Sequence, residues 1–363
     1  MLASLFYPAA GVLLLAGLAL TACAQRRPAA SASSSSMLPY QTERFRLSAG
    51  PTAAEGYPMK IQFGAFVRSD GKNLLVPSGN YLNSKGPWNV SGIAWAVGEE
   101  MQPAPERLDI LYFSYTEDQF YEGKFALPQQ RLYELLKAGF WDTDKNQQTT
   151  YNELDVCVLP KGLVVVWLVG PGRQTLVGHY RAQISDVDYQ RFNPGVDRVK
   201  AVRYYQAEML PAVQAQIAAS TISSKPWEEY LTTYPWQLAL PPGPTLTSYR
   251  LYYQSGEYTS GPDTRDPAPY VRALLTPQPR PVPRSGTLWV RDEAGHAYRL
   301  RVRRFDEAET QAAFRTLHQA SPTQLLTLRV EADKYLKQAT LVLTNGPQTI
   351  PLPKSSVEIL PED

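Results

Sequence analysis

Leu154-Asp-Val-Cys-Val-Leu-Pro-Lys-Gly-Leu-Val-Val-Val-Trp-Leu-Val169 decides the fold. Two apolar, β-branched runs flank the turn-forming trio Pro160-Lys161-Gly162, so residues 152–159 and 163–169 predict a β-hairpin. From Val164 to Val169 every position is apolar, which leaves none of the alternation of a half-exposed strand. Such a strand belongs inside a sheet covered on both faces. Cys157, within the first run, reads as a small buried hydrophobe rather than a nucleophile.

The pattern continues on both sides. Gly170-Pro-Gly172 turns the chain into a strand over 174–182. Upstream, strands are expected over 59–67, 93–97, 108–116 and 119–127, with Glu117-Asp118 turning between the last two and a Gly/Asn-rich stretch over 78–92. Pro128 suits the first position of a helix whose apolar stripe is Leu132, Leu135 and Leu136 and whose cap is Gly139. Residues 204–220 read as a helix despite Pro211, and 226–230 as a short one. Pro241-Pro-Gly-Pro244 marks the expected domain boundary. Beyond it come strands over 249–253, 287–290 and 297–302, a Pro-rich surface loop over 262–283, and a helix capped by Asp306 with Glu309 three residues on. A meander over 325–331, 339–343 and 349–352 follows, with a tight turn at Asn345-Gly346. The expected fold is β-rich α+β: antiparallel sheets, a few packing helices, and two domains over 41–240 and 245–363.

Composition suits an exported globular protein. The chain has 363 residues, 44% apolar and 19% charged, with 22 Tyr and 31 Pro, enough for two cores. A net charge of +2 gives no bulk attraction for nucleic acid. The start of the chain ends an uncharged run in Leu20-Thr-Ala-Cys23. That run, about 14 residues over 9–22, suits a signal peptide and is short for a membrane-spanning helix of about 20. Reading from Met1 restores the length, and Arg26 and Arg27 after the run oppose export. The small residues before Cys23 outweigh both, because they form a lipoprotein cleavage site whose thiol receives the lipid. A signal peptide over 1–22 and a lipidated Cys23 on a Ser/Ala-rich tether to residue 40 are therefore expected. Ala24, in place of Asp, directs the expectation to the outer membrane.

Tyr112-Phe-Ser-Tyr-Thr-Glu-Asp-Gln-Phe-Tyr-Glu-Gly-Lys-Phe-Ala-Leu-Pro128 resembles a block of an uncharacterised bacterial lipoprotein family, domain of unknown function 2931. The hairpin over 151–182 resembles a second block of that family, with its proline, glycine and tryptophan at Pro160, Gly162 and Trp167. Trp227-Glu-Glu-Tyr230 and Tyr234-Pro-Trp236 look like later family elements. The resemblance implies an envelope lipoprotein and brings no activity with it.

Two groups of residues are candidates for function. Glu117 beside Tyr112, Phe120 and Tyr121 places a carboxylate among rings, the materials of a sugar-binding or sugar-cleaving site or of a protein-binding patch. Arg299, Arg301 and Arg303 fall on one face of a strand, opposite Leu300 and Val302, and form a ladder for a polyanion or an acidic protein surface. His179, His296 and His318 are scattered, so neither a metal nor a cofactor is expected. No G-x-S-x-G elbow or phosphate loop occurs. The expected role is a non-enzymatic binding module of the envelope for a protein partner, with an immunity or inhibitor protein as one specific form. Glycan binding or hydrolysis through Glu117, and a structural spacer, are the alternatives.

Overall fold

The computed structural model describes residues 38–362, apart from 84–87, 97–98, 143, 262–266 and 334. Cys23, the signal peptide and most of the tether lie outside the described residues. Among them Leu38–Asp363 forms one compact unit, and no described helix is long and apolar enough to cross a membrane.

The hairpin forms as expected, with strands Glu153–Val158 and Leu163–Gly170 joined by a single helical turn at Pro160–Gly162. It sits inside a nine-stranded sheet among the described residues. The order is Ser48–Ala53, Glu153–Val158, Leu163–Gly170, Arg173–Arg181, Tyr258–Ser260, Thr245–Tyr253, Pro283–Arg291, Ala297–Val302 and Glu358–Glu362. Neighbours are antiparallel except the first pair, which is parallel. Both faces of Leu163–Gly170 are covered. Val164, Val166 and Leu168 enter one core, whereas Val165 and Trp167 pack with Trp88, Trp227 and Leu231 on the other side. Burying such side chains contributes about 1.5–3 kcal/mol each, so this strand alone anchors the centre of the molecule.

A second sheet carries Gln183–Ser185, Gln119–Ala126, Arg107–Ser114, Met59–Val67 and Asn73–Leu75. Its Ile61, Ile110 and Tyr112 face Val156 and Val166 of the large sheet, and Leu132 and Leu136 of the helix Gln129–Ala138 close that core. A third sheet, Gln278–Pro281, Thr233–Ala239, Leu326–Ala332, Ala339–Thr344 and Thr349–Pro351, covers the other half of the large sheet. There Trp236, Leu328 and Leu343 meet Leu251, Leu288 and Leu300, with Phe314 and Leu317 from the helix Glu307–Ala320. Asp306 caps that helix by accepting the Glu309 N–H at 2.9 Å.

Several expectations change. Pro241–Pro244 lies between the strands Thr233–Ala239 and Thr245–Tyr253, and the nine-stranded sheet takes strands from both sides of it. Two cores do exist, and the changeover lies before Thr233, since Thr233–Ala239 pairs with Gln278–Pro281 and Leu326–Ala332. The helix expected over 204–220 is two, Arg198–Ala207 and Pro211–Ala218. Pro211 starts the second, where its missing N–H costs nothing. The strand over 93–97 reduces to a bridge between Trp95 and Ala49, with residue 97 outside the described residues. The Pro-rich stretch holds the helix Pro267–Leu274 and an edge strand.

Candidate functional site

The block around Glu117 is built, but it is closed. Tyr112 and Phe120 are fully buried and Tyr121 nearly so. Strand alternation explains it. Tyr112 and Tyr121 are register partners on adjacent strands, stack at 5.4 Å, and point into the core against the large sheet. Phe120 points the other way, under Tyr189 and Phe113. The Tyr112 hydroxyl donates to the Leu159 carbonyl at 3.2 Å. Burial pushes both tyrosine hydroxyls up, and for Tyr121 the neighbouring Glu117 carboxylate adds to it.

Glu117 itself is a clamp between two turns. Its side chain is only 6% exposed. It accepts from the Ser114 hydroxyl at 3.1 Å, the Tyr121 hydroxyl at 3.0 Å and the Lys161 backbone N–H at 3.1 Å. The Lys161 ammonium lies 3.2 Å away. The neighbouring Asp118 has a left-handed backbone and accepts from Arg198 at 2.7 Å. Both carboxylates of the turn are thus used to tie strands and helices together. That is where a carboxylate among aromatics misleads: the partner from the hairpin turn is 44 residues away in sequence.

A different buried acid lies at the parallel edge. Asp155 is 2% exposed and its Oδ1 has no hydrogen-bond partner. Burial first, and then Glu153 two residues along the same strand, hold its carboxyl well above the ordinary range. The strand beside it passes Gly50, where a Cβ would come within 2.5 Å of Asp155 Oδ1, so the backbone presses directly on the acid. Cys157 is buried and its thiol is pushed up by burial. Among the described residues no group of three or more His, Cys, Asp or Glu could hold a metal.

The arginine ladder, by contrast, is open. Strand Ala297–Val302 buries Leu300 and Val302 and turns Arg299, Arg301 and Arg303 to the opposite face. Register pairing puts Thr287 and Trp289 beside Arg301 and Arg299 on that face, and Arg250 beside Thr287. Together they line a groove of about 310 Å³. Glu358 pairs with Arg303 at 2.6 Å, and Glu362 lies 3.5 Å from Arg299 while accepting the Trp289 indole N–H at 2.9 Å. Arg301 and Arg250 form no ion pair among the described residues, and the Arg250 Nε is buried with no acceptor. Arg250, Tyr252 and Trp289 escaped the sequence reading. Their signal was the alternation of Leu251, Tyr253 and Leu288 against them, which required knowing that the strands are neighbours.

A family model described as a protein of unknown function (DUF2931) matches residues 31–225. The match takes in the Glu117 block and the hairpin, and it ends before Trp227, Tyr234 and the whole arginine face. No curated protein and no solved structure matches the chain.

Proposed function

We propose, from the premise that this chain belongs to the DUF2931 family of proteins of unknown function, that it is a lipid-anchored envelope protein acting as a non-enzymatic binding module. Its partner is an acidic segment of another envelope protein, seated on the arginine-lined face of the large sheet. The Leu20-Thr-Ala-Cys23 sequence supports the anchor, with Cys23 as the lipid-bearing residue at the outer membrane. The single observation that carries the binding reading is the Arg299–Arg301–Arg303 row. It stands on a strand paired on both sides, faces away from the core, and leaves Arg301 in no ion pair among the described residues, its register partner Glu358 being taken by Arg303. A preformed row of guanidinium forks recognises carboxylates with two bonds each and at little entropic cost. Trp289 and Tyr252 supply the aromatic contacts that tight protein interfaces favour.

The test is quantitative capture. Full-length protein in neutral detergent is immobilised and exposed to the solubilised envelope of its host. The expected result is one stoichiometric protein whose retention falls with rising salt. An Arg299→Ala, Arg301→Ala variant should weaken it at least about 100-fold, since two charge-assisted contacts contribute about 1.5–3 kcal/mol each. Retention unchanged by both salt and the double variant refutes the reading.

A further inference from the structure

A second cavity, of about 490 Å³, opens where the arginine face meets the first half of the molecule. We propose that it binds a phosphate monoester. Its wall includes Arg284, Arg304 and Gln254 together with the edges of Trp88, Trp227 and Tyr230. Each donor is held by the fold. Gln254 starts a tight turn that two indoles pin: Trp88 donates to the Gln254 carbonyl at 3.2 Å and Trp167 to the Ser255 carbonyl at 3.1 Å. Arg284 is the second residue of strand Pro283–Arg291, and its carbonyl takes the Phe305 N–H at 2.8 Å, fixing Arg304 beside it.

The donors lack acceptors. Gln254 is 4% exposed; its Oε1 accepts from the Gln311 Nε2, which leaves its own Nε2 with no hydrogen-bond partner. A buried donor with no acceptor destabilises the fold unless something occupies the space in front of it. Arg284 is half-buried, and neither it nor Arg304 forms an ion pair among the described residues. Two acids, Glu55 and Glu307, share the wall, and neither pairs with Arg284 or Arg304. Glu307 accepts from the Tyr230 hydroxyl, Glu358 takes Arg303, and Glu55 is exposed on the wall.

The electrostatics favour a doubly charged oxyanion over a carboxylate. Burial holds the Arg284 guanidinium below its usual range, Tyr252 opposes that shift, and repulsion from Arg304 adds a smaller lowering. A phosphate monoester carries about −1.5 to −2 charges near neutral pH and has three acceptor oxygens, one for each donor group. The indole edges and the Tyr230 ring then provide an apolar wall for the alcohol. The volume lies within the range of small-molecule sites, about 300–1,000 Å³.

Of the ladder only Arg303, already paired with Glu358, lines this cavity, so the Arg299→Ala, Arg301→Ala variant separates this site from the protein-partner reading. The ester can come from a small soluble molecule or from a lipid headgroup, and the test has an arm for each. Calorimetry on the full chain in neutral detergent uses glucose 1-phosphate, with glucuronate and glucose as controls. Flotation uses vesicles of phosphatidylcholine with and without phosphatidate. Saturable binding of either phosphate ester is expected, at least tenfold tighter than glucuronate. Gln254→Leu and Arg304→Ala should each weaken it about tenfold, while Arg299→Ala, Arg301→Ala leaves it within about twofold. Arg304 is exposed, so its variant reads out binding even if Gln254→Leu disturbs the turn. Failure of both phosphate esters to bind, or binding that survives Arg304→Ala intact, overturns the proposal.

Discussion

Replacing Glu117 by alanine should destabilise the protein by about 3–4 kcal/mol, and the structure shows where that figure arises. Four donors converge on the carboxylate: the Ser114 and Tyr121 hydroxyls, the Lys161 N–H and the Lys161 ammonium. They do not contribute equally. Ser114 keeps a partner in the Thr116 hydroxyl at 3.0 Å, and Lys161 lies at an exposed turn where water replaces the lost acceptor. Tyr121 is 5% exposed and has no such substitute, so stranding its hydroxyl costs about 1–3 kcal/mol. The lost tie between the two turns adds about 1.5–2 kcal/mol, the low end for a hydrogen bond to a charged acceptor. Glu117→Gln keeps the shape and loses the charge, and should cost roughly half as much. Equilibrium guanidinium unfolding followed by tryptophan fluorescence measures both. A loss below about 0.5 kcal/mol for Glu117→Ala, the scale of an ordinary surface change, would refute the clamp and return Glu117 to the list of free carboxylates.

Three other perturbations probe the frame around it. Gly162→Ala should cost at least about 2 kcal/mol in the same assay, because its φ of 75° is left-handed and a Cβ would sit 2.3 Å from the Ala182 carbonyl oxygen. A cost near zero would mean that the hairpin turn can relax. Trp167→Ala should cost about 3–5 kcal/mol from packing, and more from the orphaned Ser255 carbonyl; retention of wild-type stability would contradict the joint between the halves. Asp155 supplies a pH dependence. Its folded value is raised above the unfolded one, so its contribution is complete below the ordinary carboxyl range and is lost as pH rises through the raised value. Asp155→Asn, neutral throughout, should therefore gain stability relative to wild type as pH climbs above about 4. A difference that stays flat between pH 4 and pH 8 would show that Asp155 is ionised in the fold.

Local pattern carried the sequence reading a long way. The all-apolar run at Val164–Val169 announced a covered strand, and the flanks of Asp292-Glu-Ala-Gly295 gave the hairpin that carries the ladder. Asp306 and Glu309 marked a helix start that the structure reproduces. What stayed hidden was long-range. Ser48-Ala-Gly-Pro-Thr-Ala53 has no strand periodicity, and it is a strand because its backbone pairs in parallel with Glu153–Val158. The three-residue strand Tyr258–Ser260 is too short to read, yet it pairs with Arg173–Arg181 on one side and Thr245–Tyr253 on the other and so continues the large sheet. Glu117 was legible as a turn residue and illegible as a buried one, since its burial depends on the hairpin turn from 44 residues away. The arginines were legible because exposure on a strand is a local property of alternation.

The most direct test of the account is to compare two variants in the envelope capture experiment. Arg299→Glu, Arg301→Glu reverses the charge of the open face, and Glu117→Gln alters the closed block. With the fold of each verified by circular dichroism, capture should disappear in the first and persist in the second. Capture that survives charge reversal, or that is lost only with Glu117→Gln, would contradict the assignment of binding to the arginine face.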